Sequence, residues 1–347
     1  MHAMILDEQL NFKWAEVPDP VRKPDEVLIR VHAAAVNRAD LMQKDGCYSS
    51  PAGWPQWCGL EVSGEVLEAP ADAAVKPGDK VCALLGGGGY SELVTAPAGM
   101  VIPIPEGLSM IEAATLPEVW STVYLNLQLE AGGMKPGDVF YMQAGASGVG
   151  LAAIQYAKQL GAEVITTIDS PEKAEFVRKL GADYVLDYRK EDVRPVIEAH
   201  PPTVALDCIG GKLMGECFRN MVFGGRWIMI ATMAGAETTI NLETVWRKRI
   251  RLDRQHPAQP YAGGEEPYSE SLADGTLAVV LIAQADHEHP CGVPDPRRRE
   301  RARSSPPCGK HRQSCFDACI TSSGPAAAAC GTAIFLRREL YFLFRFF

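Results

Sequence analysis

Between Ala144 and Gly150 the chain reads A-G-A-S-G-V-G, and Asp169 stands nineteen residues past the last of these glycines. A glycine turn leading from a strand into a helix lets peptide N–H groups approach a pyrophosphate, and the helix N-terminus adds partial positive charge. A Cβ at the closest approach would hold the phosphate off. On this reading Gly145, Ser147, Gly148, Val149 and Gly150 bind a dinucleotide. The spacing is G-x-x-G-x-G, not the usual G-x-G-x-x-G, so the strand–turn–helix context carries the reading. The competing reading keeps these glycines for helix–strand packing alone. An acid placed like Asp169 binds the adenosine ribose diol and favours NAD, because a 2′-phosphate would meet like charge. Against this, Lys173 and the Tyr188-Arg189-Lys190 run offer a phosphate cations and a tyrosine hydroxyl. Asp169 also suits the cap of a helix starting at Pro171, and Lys173 and Arg189 also suit a solvated face. Both alternatives stay open.

These residues need a frame. From about residue 135 strands alternate with helices: 135–145 is a turn and a buried strand, 148–161 a helix closed by glycine, and 162–168 a strand. A helix follows at 170–181, with Ser170 at its N-cap and Pro171 in its first turn, and 182–188, 203–210 and 225–232 are further strands. Such alternation predicts a doubly wound parallel sheet. Residues 1 to about 120 instead read as short strands broken by Pro and Gly turns, which predicts a barrel or sandwich. The chain divides into 1–125 and 126–252, with a change of character after Leu252.

The 347 residues carry a net charge of −9. That disfavours nucleic acid and a polybasic membrane anchor as partners. No run of about 18 apolar residues predicts a membrane span, and the start lacks the layout of a signal peptide, so the expected location is cytoplasmic. Of ten cysteines, Cys47, Cys58, Cys82, Cys208 and Cys217 are scattered without metal-ligand spacing and are expected as free thiols.

NRADLMQKDGCY at 37–48, GLEVSGEV at 59–66, LPEVWSTVY at 116–124, AGASGVGLAAIQ at 144–155 and LDCIGG at 206–211 occur in order. With these motifs residues 1–252 resemble the zinc-independent quinone oxidoreductases of the medium-chain dehydrogenase/reductase superfamily, in the branch of the tumour-suppressor-inducible quinone reductase. The resemblance implies an α/β chain: a GroES-like β-barrel domain, then a Rossmann doubly wound parallel sheet. It implies NADPH in the cleft, a small-molecule quinone or enone as substrate, and a homodimer. It places Asn37 and Tyr48 at the nicotinamide as catalytic residues, Thr122 near the carboxamide, and Gly145 to Gly150 under the pyrophosphate. It places Ser170, Lys173 and Tyr188 around the 2′-phosphate, and Met233 and Gly235 behind the nicotinamide. Relatives have a small neutral residue where this chain has Asp169, so NADH is also a candidate coenzyme. Zinc-dependent relatives carry G-H-E where Gly59-Leu60-Glu61 stands here, and a four-cysteine lobe; no metal is expected. The implied reaction is hydride transfer to a quinone, with Tyr48 serving the product oxygen. An enoyl or alkenal reductase, or a non-catalytic NADPH-binding protein of the crystallin kind, are the alternatives.

Beyond Leu252 the periodicity stops, and PDPRRRERARSSPP at 294–307 is basic and Pro-rich. Codons that encode Asp253–Tyr268 can be chosen so that dropping one base yields I-G-S-T-L-R-N-R-T-P-E-E-K-S-R, which resembles the family's continuation. The same shifted frame over Ala302–Phe316 admits a family-like closing strand, I-G-K-V-V-L, followed by a stop. Residues 253–347 are therefore expected to be a frameshifted, poorly ordered tail, and AIFLRRELYFLFRFF at 333–347 an accident of translation. On that expectation the parallel sheet loses its last strands and the barrel domain its returning element. Losing several buried apolar side chains, at about 1.5–3 kcal/mol each, would rival a typical net stability of about 5–15 kcal/mol. The chain as written is then expected to be poorly stable and weakly active.

Overall fold

The structure, a computed structural model, describes residues 1–254, 334–337 and 340–344. The chain forms two compact units that divide between Glu118 and Val119.

The first unit is built around one long strand. A hairpin of β1 (His2–Leu6) and β2 (Phe12–Glu16) precedes β3 (Glu26–Val36), whose sequence EVLIRVHAAAV places Val27, Ile29 and Val31 on one buried face. The period of two along a strand makes this alternation. After β3 come α1 (Arg38–Lys44), β4 (Glu61–Glu68), β5 (Lys80–Leu84), β6 (Leu93–Pro97) and β7 (Val101–Pro103). Strand β3 pairs antiparallel with β4 on one edge and with β6 along Glu26–Arg30 on the other. The core joins Val27, Ile29, Val62, Val81, Ala83 and Val94. The short α2 (Met110–Ala113) is started by a capping box, in which the Ser109 hydroxyl accepts from the Glu112 amide.

The second unit follows α3 (Pro117–Val123), which crosses the division, and a π-helix over Tyr124–Glu130. The Asn126 side chain donates to the Thr122 carbonyl at 2.7 Å, four residues back. That side chain takes a carbonyl an α-helical amide would use, which accompanies the shift to the wider helix. Strands and helices then alternate: β8 (Val139–Met142), α4 (Gly148–Gln159), β9 (Glu163–Ile168), α5 (Pro171–Lys179), β10 (Tyr184–Asp187), α6 (Arg194–Ala199), β11 (Val204–Asp207), α7 (Gly211–Phe218), β12 (Arg226–Met229), α8 (Leu242–Lys248) and β13 (Arg251–Arg254). All six strands run parallel in the order β10-β9-β8-β11-β12-β13. This is the doubly wound order, with its switch point between β8 and β11. The core centres on fully buried Tyr141, Phe218 and Trp227.

Three expectations are corrected. The parallel sheet keeps a sixth strand, because β13 pairs with β12 through Arg254, past the change of character at Leu252. The first unit has a returning strand: β14 (Ile334–Arg337) and β15 (Leu340–Phe344) form a hairpin, and β15 runs parallel to β3 at Ala33–Val36. Cys47 is disulfide-bonded, whereas Cys58, Cys82, Cys208 and Cys217 are free. The rest of the tail lies outside the described residues.

Candidate functional site

The turn after β8 sits at the switch point of the second unit's sheet. Ala144 takes a left-handed backbone, φ 59°, which is strained for a residue with a Cβ. Its amide donates to Thr167 Oγ1 at 3.1 Å, and the Gly145 amide donates to the Thr167 carbonyl at 2.9 Å, tying the turn to β9. Ser147 caps α4: its Oγ accepts from the Gly150 amide at 3.0 Å. A Cβ on Gly145 would collide with Thr166 Oγ1, and one on Gly150 would lie 2.5 Å from the Ala144 carbonyl oxygen. The fold's own packing therefore requires both glycines, before any ligand is considered. Among the described residues, the turn's bonds leave the amides of Ala146, Gly148 and Val149 unused. Unused amides at the start of a twelve-residue helix suit a pyrophosphate.

At the end of β9, Asp169 is held by two cations. Lys173 Nζ donates to Oδ1 at 2.6 Å, and Arg189 Nη2 lies 3.6 Å from Oδ2. The Arg189 guanidinium also lies over the Tyr188 ring, 5.7 Å from its centroid. Burial alone would raise the Asp169 carboxyl. The Lys173 hydrogen bond and the charges of Lys173 and Arg189 override it and hold the carboxyl below its ordinary range. Asp169 does not cap α5. Ser170 holds that position with Pro171 behind it, although the Ser170 side chain makes no capping bond.

The loop after β12 docks on the loop after β11. Met233 and Ala234 donate backbone amides to the carbonyls of Cys208 and Ile209 at 3.2 and 2.8 Å, and Gly211 donates to the Gly235 carbonyl at 3.1 Å. The fully buried Asp207 organises this end of the sheet. One oxygen accepts from the Ile209 and Gly210 amides at 2.8 and 3.0 Å; the other accepts from Trp227 Nε1 at 3.1 Å and Gln143 Nε2 at 3.3 Å. Thr122 is buried in α3, with its carbonyl held by Asn126.

In the first unit, Asn37 stands before α1. Its backbone amide donates to Asp40 Oδ2 at 2.7 Å and its side chain donates to Glu61 Oε1 at 2.9 Å. Asp40 also accepts from the Gly59 amide at 2.7 Å and from the Tyr90 hydroxyl. Burial pushes the Asp40 carboxyl up to about 6, and these bonds offset only part of that rise. Glu61 Oε2 accepts from the Glu118 amide at 2.9 Å. Burial, then the charges of Glu61 and Asp40, push the Glu118 carboxyl up to about 8. Tyr48 is half-buried, and burial followed by Glu118 and Asp40 raises its hydroxyl above the ordinary phenol. Among the described residues no three His, Cys, Asp or Glu side chains are grouped to hold a metal ion.

The structure thus gathers the turn residues at one strand end, sets Asp169 on Lys173 and Arg189 at the next, and packs Met233 and Gly235 against the loop after β11. Asn37 and Tyr48 belong to the first unit. Sequence reasoning did not single out the hydrogen-bonded acids Asp40, Glu61, Glu118 and Asp207. Each stood inside a quoted motif, and that was the available signal.

Comparison with known proteins agrees with this architecture. Residues 23–106 match the family described as alcohol dehydrogenase GroES-like domain, and residues 148–258 match zinc-binding dehydrogenase. Quinone oxidoreductase-like protein 2 of Bos taurus is 31% identical over 239 residues, 67% of this chain and 68% of the relative. A probable quinone oxidoreductase of Leishmania amazonensis is 34% identical over 63% of each chain, and prostaglandin reductase-3 of Bos taurus is 32% identical over 68% of this chain and 64% of its own. The chain therefore spans about two thirds of the length of these relatives. The solved quinone oxidoreductase of Thermus thermophilus, also determined with NADPH, superposes with a TM-score of 0.65 at 27% identity, covering 82% of this chain and 87% of that one. A GroES-like domain followed by a Rossmann-like parallel sheet, with relatives of this kind, places the chain in the medium-chain dehydrogenase/reductase superfamily.

Proposed function

We propose that this protein is a reductase that transfers hydride from NADPH or NADH to a quinone. The observation that carries the reading is the β8–α4 turn, whose unused amides at Ala146, Gly148 and Val149 lie in the loop that leaves β8 at the switch point of a parallel sheet. When bound, the nicotinamide coenzyme supplies the hydride. The chain's own residues then do the rest: the turn grips the diphosphate, and Met233 and Gly235 back the ring. Ser170, Lys173, Arg189 and Tyr188 take a 2′-phosphate, or Asp169 takes a ribose diol. Tyr48 donates to the oxygen on which charge develops, and a delocalised quinol anion needs no metal to stabilise it.

Asp169 makes the choice of coenzyme a competition. Its carboxylate already sits on the two cations a 2′-phosphate would use. NADPH must displace it, whereas NADH need only hydrogen-bond to it. The second acceptor class is an enone, favoured by the prostaglandin reductase-3 relative. Initial rates with a panel of quinones and enones, each with both coenzymes, test the reading. Quinone turnover well above enone turnover supports it; coenzyme binding with no turnover of either would replace it with a binding protein.

A further inference from the structure

Asp207 ends β11 fully buried, and its two oxygens serve different parts of the second unit. Oδ1 accepts from the Ile209 and Gly210 amides, two and three residues on, which folds the chain over at the strand end. Oδ2 accepts from Gln143 Nε2, one residue before the glycine turn, and from Trp227 Nε1 on β12. The loop that Asp207 folds has no slack. Gly210 and Gly211 both take positive φ, 63° and 65°, and a Cβ on Gly210 would lie 3.0 Å from the Gly235 carbonyl oxygen. A Cβ on Gly211 would lie 3.3 Å from the Ala234 carbonyl oxygen. The backbone bonds already described then fasten Met233, Ala234 and Gly235 to this loop. The glycine turn, by contrast, is fastened to β9 through Thr167 and closed by the Ser147 cap. The turn and the 233–235 loop therefore have separate anchors, and the Gln143–Asp207 bond at 3.3 Å spans them.

We propose that Asp207 is a positioning residue for hydride transfer: it holds the 233–235 loop, which backs the nicotinamide, in register with the turn that grips the diphosphate. The inference rests on the coenzyme reading above. Hydride transfer needs donor and acceptor aligned, and a misplacement of about 1 Å costs up to about a hundredfold in rate. A buried acceptor with four donors is a stiff hub, because removing one lone pair strands a donor. Asp207→Asn keeps the side chain's size and turns one acceptor oxygen into a donor. That NH2 meets either the Ile209 and Gly210 amides or Trp227 Nε1, donor against donor, and the hub opens. The turn keeps its Thr167 anchors in this variant. The two halves of the site should therefore separate: the diphosphate is still gripped, and the ring is no longer held.

The test uses the full chain, with ADP as a probe that carries the diphosphate and no nicotinamide, and NADH and NADPH as probes that carry both. Calorimetry should give Asp207→Asn an ADP affinity within about twofold of the parent's. The emission of the reduced nicotinamide, which reports the ring's surroundings, should change on binding to the parent and lose most of that change in Asp207→Asn. This arm needs no turnover, so it stands apart from the choice of acceptor. In the second arm, kcat for a quinone should fall by about tenfold to a hundredfold. Gln143→Met, which breaks only the spanning bond, should show a smaller loss of the same kind. The double variant should lose less than the two single losses combined, because both changes remove one shared bond. An Asp207→Asn protein with the parent's emission change and rate overturns the proposal. So does one that loses ADP affinity as steeply as it loses rate, since the whole site has then collapsed. A parent that binds neither ADP nor reduced coenzyme removes the function reading, and this inference with it. If Asp207→Asn fails to fold, Gln143→Met decides: parent-like emission and rate in that variant reject the idea.

Discussion

At the scale of single residues, charge placement matters more than residue type. Asp169, Lys173 and Arg189 were each readable as site residues, but the sequence could not show that the acid would neutralise both cations. That depends on β10 lying beside β9, so that Arg189 after β10 reaches the end of β9. Replacing Asp169 with Asn should free both cations and raise the NADPH:NADH ratio of kcat/KM by at least about tenfold, about 1.4 kcal/mol. Steady-state rates at low ionic strength measure it, and an unchanged ratio would dismiss the competition described here. Glu118 gives a second residue-scale prediction, in stability. Its folded carboxyl is raised to about 8 from an ordinary 4.5, so the folded state binds the extra proton. Its contribution is fully present below the ordinary value and is lost as pH rises through about 8. Glu118→Gln should therefore gain in Tm relative to the parent as pH is raised from 6 to 9. Thermal melts across that range check the sign.

Among elements, the regular pieces were legible and the irregular ones were not. Hydrophobic runs and glycine stops located α4, β9 and α5 to within a residue or two, and Ser170 with Pro171 marked the start of α5. The π-helix over Tyr124–Glu130 had no such signal, because it turns on one side chain, Asn126, capturing a carbonyl inside a helical pattern. The glycine turn was legible as a turn, but the reason for its glycines was not. Contacts with Thr166 and with the Ala144 carbonyl explain Gly145 and Gly150; Thr166 comes up to Gly145 only after β8 and β9 pair, and the Ala144 carbonyl meets Gly150 only once the turn itself has closed. Gly150→Ala should cost about 1–3 kcal/mol of stability through overpacking. Denaturant unfolding tests it, and a neutral substitution would mean the turn is looser than described. Asp207→Ala should cost more, about 3–5 kcal/mol, because it strands Trp227, Gln143 and two loop amides in a buried site.

For the whole molecule, the two-part design was readable because its halves follow different periods, while residues 253–347 followed none. The strand pairs at Arg251–Arg254 and Leu340–Phe344 were invisible in the sequence, since pairing is decided by neighbours far along the chain. We hold to the proposal that residues 253–347 are read out of frame; the family match ends at residue 258, close to the change of character. Sequencing the gene across codon 252 in independent isolates should reveal a one-base difference, and an uninterrupted frame in all of them would end that proposal. The central claim is that the amides of Ala146, Gly148 and Val149 bind the diphosphate of a nicotinamide coenzyme. Calorimetric titration of the full chain with NADPH and NADH, beside Ala146→Asp, tests it most directly. One coenzyme bound per chain, with affinity at least about tenfold weaker when the aspartate opposes the diphosphate, is the predicted result. No binding by the parent, or equal binding by the variant, would contradict it.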